Sequence, residues 1–138
     1  MKNSKFDIDL KNGQFFEKEI ENLLRGNYLE VKTDIVWWRV TRNIVIEYEC
    51  FGKPSGVFTT ESEHYCYNYA SNKTNLYCAF ILPIDFLKTI VEKYKNSKYD
   101  MTGGDKKLSK MIVIPVKKLV NELISRKTIL EWEMKNCK

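Results

Sequence analysis

Tyr28-Leu29-Glu30-Val31-Lys32-Thr33-Asp34 and Asn43-Ile44-Val45-Ile46-Glu47-Tyr48-Glu49-Cys50 are the two stretches on which the fold turns. Both read as extended strands. The first opens with apolar and polar residues in alternation, and the second is rich in β-branched and aromatic side chains. Side chains on a strand alternate between faces. Glu30, Lys32 and Asp34 therefore share one face of the first strand, and Val45, Glu47 and Glu49 share one face of the second. Ile35 to Arg42 is a connection short enough to predict an antiparallel hairpin. Trp37 and Trp38 then fall in or near its tip. With the apolar faces aligned, four carboxylates and a lysine gather across the pair. Like charges at cross-strand distance repel and raise each other's pKa unless positive charge sits among them. Lys32 supplies part of that charge, and a divalent cation would supply the rest. The same pattern also suits the solvated face of a half-exposed sheet.

Working outward, Phe16, Ile20, Leu23 and Leu24 form one apolar stripe, which predicts a helix over residues 14 to 24 that Gly26 stops. Glu17 borders this stripe and is the helix acid expected to reach the strands. Gly52-Lys53-Pro54-Ser55-Gly56 reads as a loop whose lysine and amides suit a backbone phosphate, although a plain turn fits slightly better. Thr60-Glu61-Ser62-Glu63 has the form of a capping box and predicts a helix from about Glu61 to Tyr69. On such a helix Tyr65, Tyr67 and Tyr69 would spread over different faces. Leu76 to Leu82 reads as a buried strand, and Pro83 opens a helix to about Lys95. Tyr99 to Lys107 reads as a loop, Met111 to Ile114 as a strand, and Pro115 as the start of a helix to about Ser125. The polar tail from Arg126 onward reads as partly helical.

The chain has 138 residues, enough for one domain, residues 1–138, with a core of its own. Its 43% apolar content is that of a globular protein, and no apolar run approaches the roughly 20 residues that span a bilayer. The first residues lack the apolar core of a signal peptide, so a cytoplasmic protein is expected. Cys50, Cys66, Cys78 and Cys137 contain no C-x-x-C pair, and His64 is the single histidine. Free buried thiols are expected rather than zinc. The net charge of +5 suits an anionic partner. Basic residues thicken late, through Lys106, Lys107, Lys110, Lys117 and Lys118, whereas acids cluster early. A basic surface around a knot of carboxylates is what a metal-dependent nuclease requires.

Glu30-Val31-Lys32 matches the (D/E)-x-K motif of the PD-(D/E)XK nuclease superfamily. The stretch from Glu30 to Tyr65 resembles the small phage-type members of that superfamily. Glu30 to Asp34, Asn43 to Glu47, Gly52 to Gly56 and Thr60 to Tyr65 carry the likeness. The resemblance implies an α/β (α+β) fold with a restriction-endonuclease-like core, a central mixed sheet flanked by helices. It also implies DNA phosphodiester hydrolysis, Mg²⁺ as cofactor with Mn²⁺ as substitute, and a homodimer that cuts both strands. One departure stands out: no acid lies on a strand before Glu30.

Two registers therefore stay open. In one, Glu30 and Lys32 form the motif and Asp34 or Glu47 supplies the further acid. In the other, Asp34 leads and Glu47-Tyr48-Glu49 trails. Asp34 and Glu47 are the expected metal ligands under either register, with Glu30 as the third. Glu30 or Glu49 completes the shell or takes a proton from the attacking water, Lys32 orients that water or offsets phosphate charge, and Glu17 holds a metal-bound water or a second cation. Lys53, Ser55 and Arg42 are the expected DNA contacts. A catalytically inactive DNA-binding or protein-interaction module on the same fold is the rival reading. Trp37 and Trp38 are expected in the core or at a dimer contact, with base stacking as the alternative.

Overall fold

The computed structural model describes residues 5–26, 28–104, 106 and 108–137. Lys107, one of the expected basic patch, lies outside the described residues. The described chain runs α1 (Lys5–Arg25), β1 (Leu29–Asp34), α2 (Trp38–Thr41), β2 (Asn43–Cys50), β3 (Lys53–Pro54), a 3₁₀ turn (Gly56–Phe58) and β4 (His64–Ala70). It continues with β5 (Leu76–Pro83), α3 (Ile84–Tyr94), β6 (Asp100–Gly103), β7 (Ser109–Pro115), α4 (Val116–Leu123) and α5 (Arg126–Asn136). The fold is mixed α/β, with helices packed about two sheets.

The expected β1–β2 hairpin does not form. β1 is the edge of a mixed three-stranded sheet ordered β1-β4-β5, in which β1 runs parallel to β4. β2 belongs to a four-stranded antiparallel sheet ordered β3-β2-β7-β6. The reason is local. Oδ1 of Asp34 accepts hydrogen bonds from the backbone N–H groups of Val36 and Trp37, at 2.9 and 2.8 Å. An aspartate that satisfies the next free amides starts a helical turn rather than a hairpin. α2 follows and ends at Arg42, in the left-handed conformation with φ of 53°. The chain then enters the other sheet.

Two further expectations are corrected. Residues 64–70 form β4 rather than a helix. Thr60 accepts from the amide of Ser62 and donates to Glu30, so its hydroxyl closes a turn and caps no helix. As a strand, the segment puts Tyr65, Tyr67 and Tyr69 on one face, and burying three aromatic rings outweighs the capping signal. The polar loop expected at Tyr99 to Lys107 contains the edge strand β6, paired to β7 from Asp100↔Ile112 to Gly103↔Ser109.

The core lies between the sheets and α3. Ile44, Ile46, Ile112 and Ile114 of the second sheet are fully buried, as are Leu87 and Val91 of α3, Leu119 of α4 and Val57. α3 buries Ile84, Leu87, Ile90, Val91 and Tyr94 at helical spacing. α1 is longer than its stripe suggests and contributes little to this core. Leu23 is its one half-buried residue among those described, and Phe16, Ile20 and Leu24 are all exposed.

Candidate functional site

β4 sets the frame of the site. Its three tyrosines are buried and aimed at the second sheet. The Tyr69 hydroxyl donates to the Asn43 carbonyl at 2.8 Å, and the Tyr65 hydroxyl donates to the Val45 carbonyl at 3.3 Å. These carbonyls belong to the stretch of β2 that β3 leaves uncovered, because β3 pairs only with Glu49 and Cys50. Tyrosine side chains thus take the place of a neighbouring strand.

In register with the tyrosines stand the charged residues of β1, as Glu30↔Tyr65, Lys32↔Tyr67 and Asp34↔Tyr69. Paired residues of adjacent strands share a face, so these side chains border the aromatic row. The electrostatics agree. Burial raises the Tyr65 hydroxyl above the ordinary tyrosine value, and the negative charges of Glu30 and Glu47 raise it further. Burial likewise pushes Tyr67 up to about 12, with Asp34 adding to the rise and a hydrogen bond from the Val45 backbone opposing it. Tyr69 is also raised by burial, with Asp34 contributing. Glu30 thus lies beside Tyr65 in the strand register, and Glu47 lies two residues along β2 from the Val45 carbonyl that the Tyr65 hydroxyl reaches.

Each carboxylate is held. Glu30 pairs with Lys32 at 3.1 Å and accepts from the Thr60 hydroxyl at 3.3 Å. Glu47 accepts a short hydrogen bond from Ser55 Oγ. The next residue, Gly56, has φ of +56°, and a Cβ there would lie 2.1 Å from the Glu47 carbonyl oxygen. Only glycine allows the loop to close onto Glu47 in this way. A register shift between Glu47 and Glu49 marks a β-bulge beside them, a feature that re-aims side chains. Thr60 also lines a groove of about 820 Å³ with His64, Ile84, Phe86, Ile129 and Trp132. The Nδ1 atom of His64 is buried there without a hydrogen-bond partner.

The structure thus brings Glu30, Lys32, Glu47 and Ser55 to the Tyr65 end of the row. Asp34 lies at the other end, committed to the turn before α2. Glu49 is drawn to Lys110 at 3.2 Å. Glu17 is exposed on α1 and does not join the strand acids through any hydrogen bond or ion pair among the described residues, so the expectation that it reaches the sheet is not met. Lys53 is exposed on β3, and the exposed Arg42 guanidinium donates to the nearby Val40 carbonyl at 3.4 Å. Among the described residues no three His, Cys, Asp or Glu side chains converge on a common point. Tyr65 and Thr60 were not among the expected site residues. The signal that marks Tyr65 is the period-two run Tyr65-x-Tyr67-x-Tyr69, which the capping-box pattern at Thr60 masks.

None of the described helices is long and apolar enough to cross a membrane. Compared with protein-family models, curated protein sequences and solved structures, the chain matches none of them.

Proposed function

We propose that this chain is a metal-dependent endonuclease that hydrolyses DNA phosphodiester bonds at the Tyr65 end of the tyrosine row. The observation that supports this reading is geometric: Glu30 stands in register with Tyr65, whose hydroxyl reaches the Val45 carbonyl, two residues before Glu47 on the other sheet. The candidate ligands are carboxylate oxygens, each bonded to a hydroxyl, Ser55 on Glu47 and Thr60 on Glu30. That chemistry fits Mg²⁺, which takes one or two protein carboxylates and keeps several waters. When bound, the ion offsets phosphate charge and lowers the pKa of a coordinated water. Glu30 and Glu47 are the residues that would hold it. Ser55 and Thr60 orient those carboxylates as outer partners. Lys32, already beside Glu30, can turn to a phosphate oxygen and stabilise its charge.

A restriction-endonuclease-like core belongs to this reading. Its supports are the Glu30-x-Lys32 motif on the edge of a mixed sheet and the helix that precedes it. A homodimer would let both DNA strands be cut, and the exposed stripe of Phe16, Ile20 and Leu24 on α1 offers an apolar contact for one. The test is cleavage of plasmid DNA with Mg²⁺ or Mn²⁺ by wild type, Glu30→Gln and Glu47→Gln, with Glu17→Gln as the control. Cleavage retained by both site variants would reject the assignment.

A second reading, an inactive DNA-binding or protein-interaction module, is favoured by the absence of a three-ligand cluster among the described residues and by the commitment of Asp34 to a turn. Salt-sensitive DNA binding with no metal-dependent cutting would select it.

A further inference from the structure

At the Asp34 end of the tyrosine row, an aromatic array runs from the core to the surface. Trp38 lies parallel to Tyr69, with centroids 5.0 Å apart and planes 9° apart, and parallel to Tyr77, at 5.0 Å and 17°. Tyr69 is buried, whereas Tyr77 is 71% exposed. The array is fixed at its inner end. Trp38 Nε1 donates to the Ala70 carbonyl at 2.8 Å, and the Tyr69 hydroxyl is held by Asn43. Tyr77 owes its position to a β-bulge. Tyr69 pairs with Cys78 and Ala70 with Leu76, so Tyr77 stands opposite no residue, and the bulge turns its ring onto Trp38.

Positive charge surrounds the array. Arg39 has its guanidinium 5.5 Å from the Trp38 ring and donates to the Ser71 carbonyl, which ties α2 to the β4–β5 turn. Lys73 is exposed in that turn, Arg42 is exposed at the end of α2, and Trp37 beside them is 68% exposed. Asp34, in register with Tyr69 at this end, accepts from two backbone amides. A rigid, exposed ring flanked by cations suits an unpaired base on its phosphate backbone. Stacking needs a preset π-face, and the phosphates need arginine and lysine beside it.

We infer that Tyr77, stacked on Trp38, is a docking platform for a base of single-stranded nucleic acid, with Arg39 and Lys73 on the adjacent phosphates. This deepens the nuclease reading and rests on it for the substrate class: the strand presented to Glu30 and Glu47 carries an unpaired segment, as at a branch, gap or frayed end.

The test is anisotropy of labelled oligo-dT and oligo-U at low salt in EDTA, where no cutting occurs. Wild type binds both alike, since stacking ignores the 2′-hydroxyl. Tyr77→Ala weakens binding roughly tenfold, and Tyr77→Phe retains it. Arg39→Gln weakens binding and flattens its salt dependence. Failure of wild type to bind, or equal binding by Tyr77→Ala, overturns the platform even if DNA is cut in Mg²⁺. Tyr77-dependent binding by a protein that cuts nothing keeps the platform and rejects the nuclease. Preference for oligo-U over oligo-dT would identify RNA as the ligand source.

Discussion

The Tyr69 hydroxyl donates to the Asn43 carbonyl at 2.8 Å, so a side chain of one sheet closes the open backbone edge of the other. Tyr65 does the same for Val45, at 3.3 Å. An unpaired buried carbonyl is costly, and these phenols remove that cost while burying their rings between the sheets. Tyr69→Phe keeps the ring and deletes the donor. Urea denaturation should show a loss of about 1–2 kcal/mol with little change in slope.

The loop that closes onto Glu47 depends on Gly56. Gly56→Ala places a methyl group against the Glu47 carbonyl at a φ that L-residues avoid. The variant should lose about 1–3 kcal/mol of stability. If the site is catalytic, it should lose cleavage even at temperatures where circular dichroism shows it folded.

Ser55→Ala removes the hydroxyl that holds Glu47 and leaves the carboxylate in place. Deletion of an outer partner of a metal ligand commonly costs about 10–100-fold. The expected result is a Mg²⁺ requirement shifted to higher concentration, read from cleavage rates over a metal titration. An unchanged titration would detach Ser55 from the site.

Glu122 gives a pH signature away from the site. Its carboxyl is held below its ordinary value of 4.5, by the hydrogen bond from Lys93 first and then by that from Tyr94. A depressed carboxylate pKa adds stability that is present above the unfolded value and is lost as pH falls through the folded one. Wild type should therefore exceed Glu122→Gln in melting temperature at neutral pH. That advantage should shrink progressively below about pH 4.5. A gap that stays constant into strong acid would contradict the assigned cause.

Much of the secondary structure was legible because it rests on local signals. Pro83 and Pro115 open α3 and α4 close to where their fixed φ suits a first helical turn. Alternation and β-branching mark β1, β2 and β7, and an apolar run marks β5, which is not the buried strand that run predicts but a sheet edge on which Leu82 alone is buried. β6 was hidden because Asp100-Met101-Thr102-Gly103 is an edge strand with little apolar content, held by its pairing to β7. β4 was hidden because Thr60 to Glu63 imitates a helix start.

The candidate site was legible only in part. Glu30, Lys32 and Glu47 are expected at one site, with Ser55 as a DNA contact; in the structure Glu30 pairs with Lys32 and Glu47 with Ser55, and no β1–β2 hairpin joins the two strands. Asp34, ranked with Glu47 from the sequence, caps its own turn instead. A carboxylate two residues before free amides meets them sooner than it meets a distant strand.

From the sequence alone follow the mixed α/β class, the strand and helix signals along the chain, the charge balance, and the alternation that sets Glu30, Lys32 and Asp34 on one face. Each is fixed by a residue and its near neighbours, through backbone sterics and side-chain period. The tertiary structure decided which strands pair, that β4 lies between β1 and β5, and that Tyr65, in register with Glu30, reaches the Val45 carbonyl two residues from Glu47. Strand pairing is a contest between distant partners for the same backbone edge. Its outcome depends on which arrangement buries the tyrosines and satisfies the carbonyls of β2, and neither quantity is a property of any single segment.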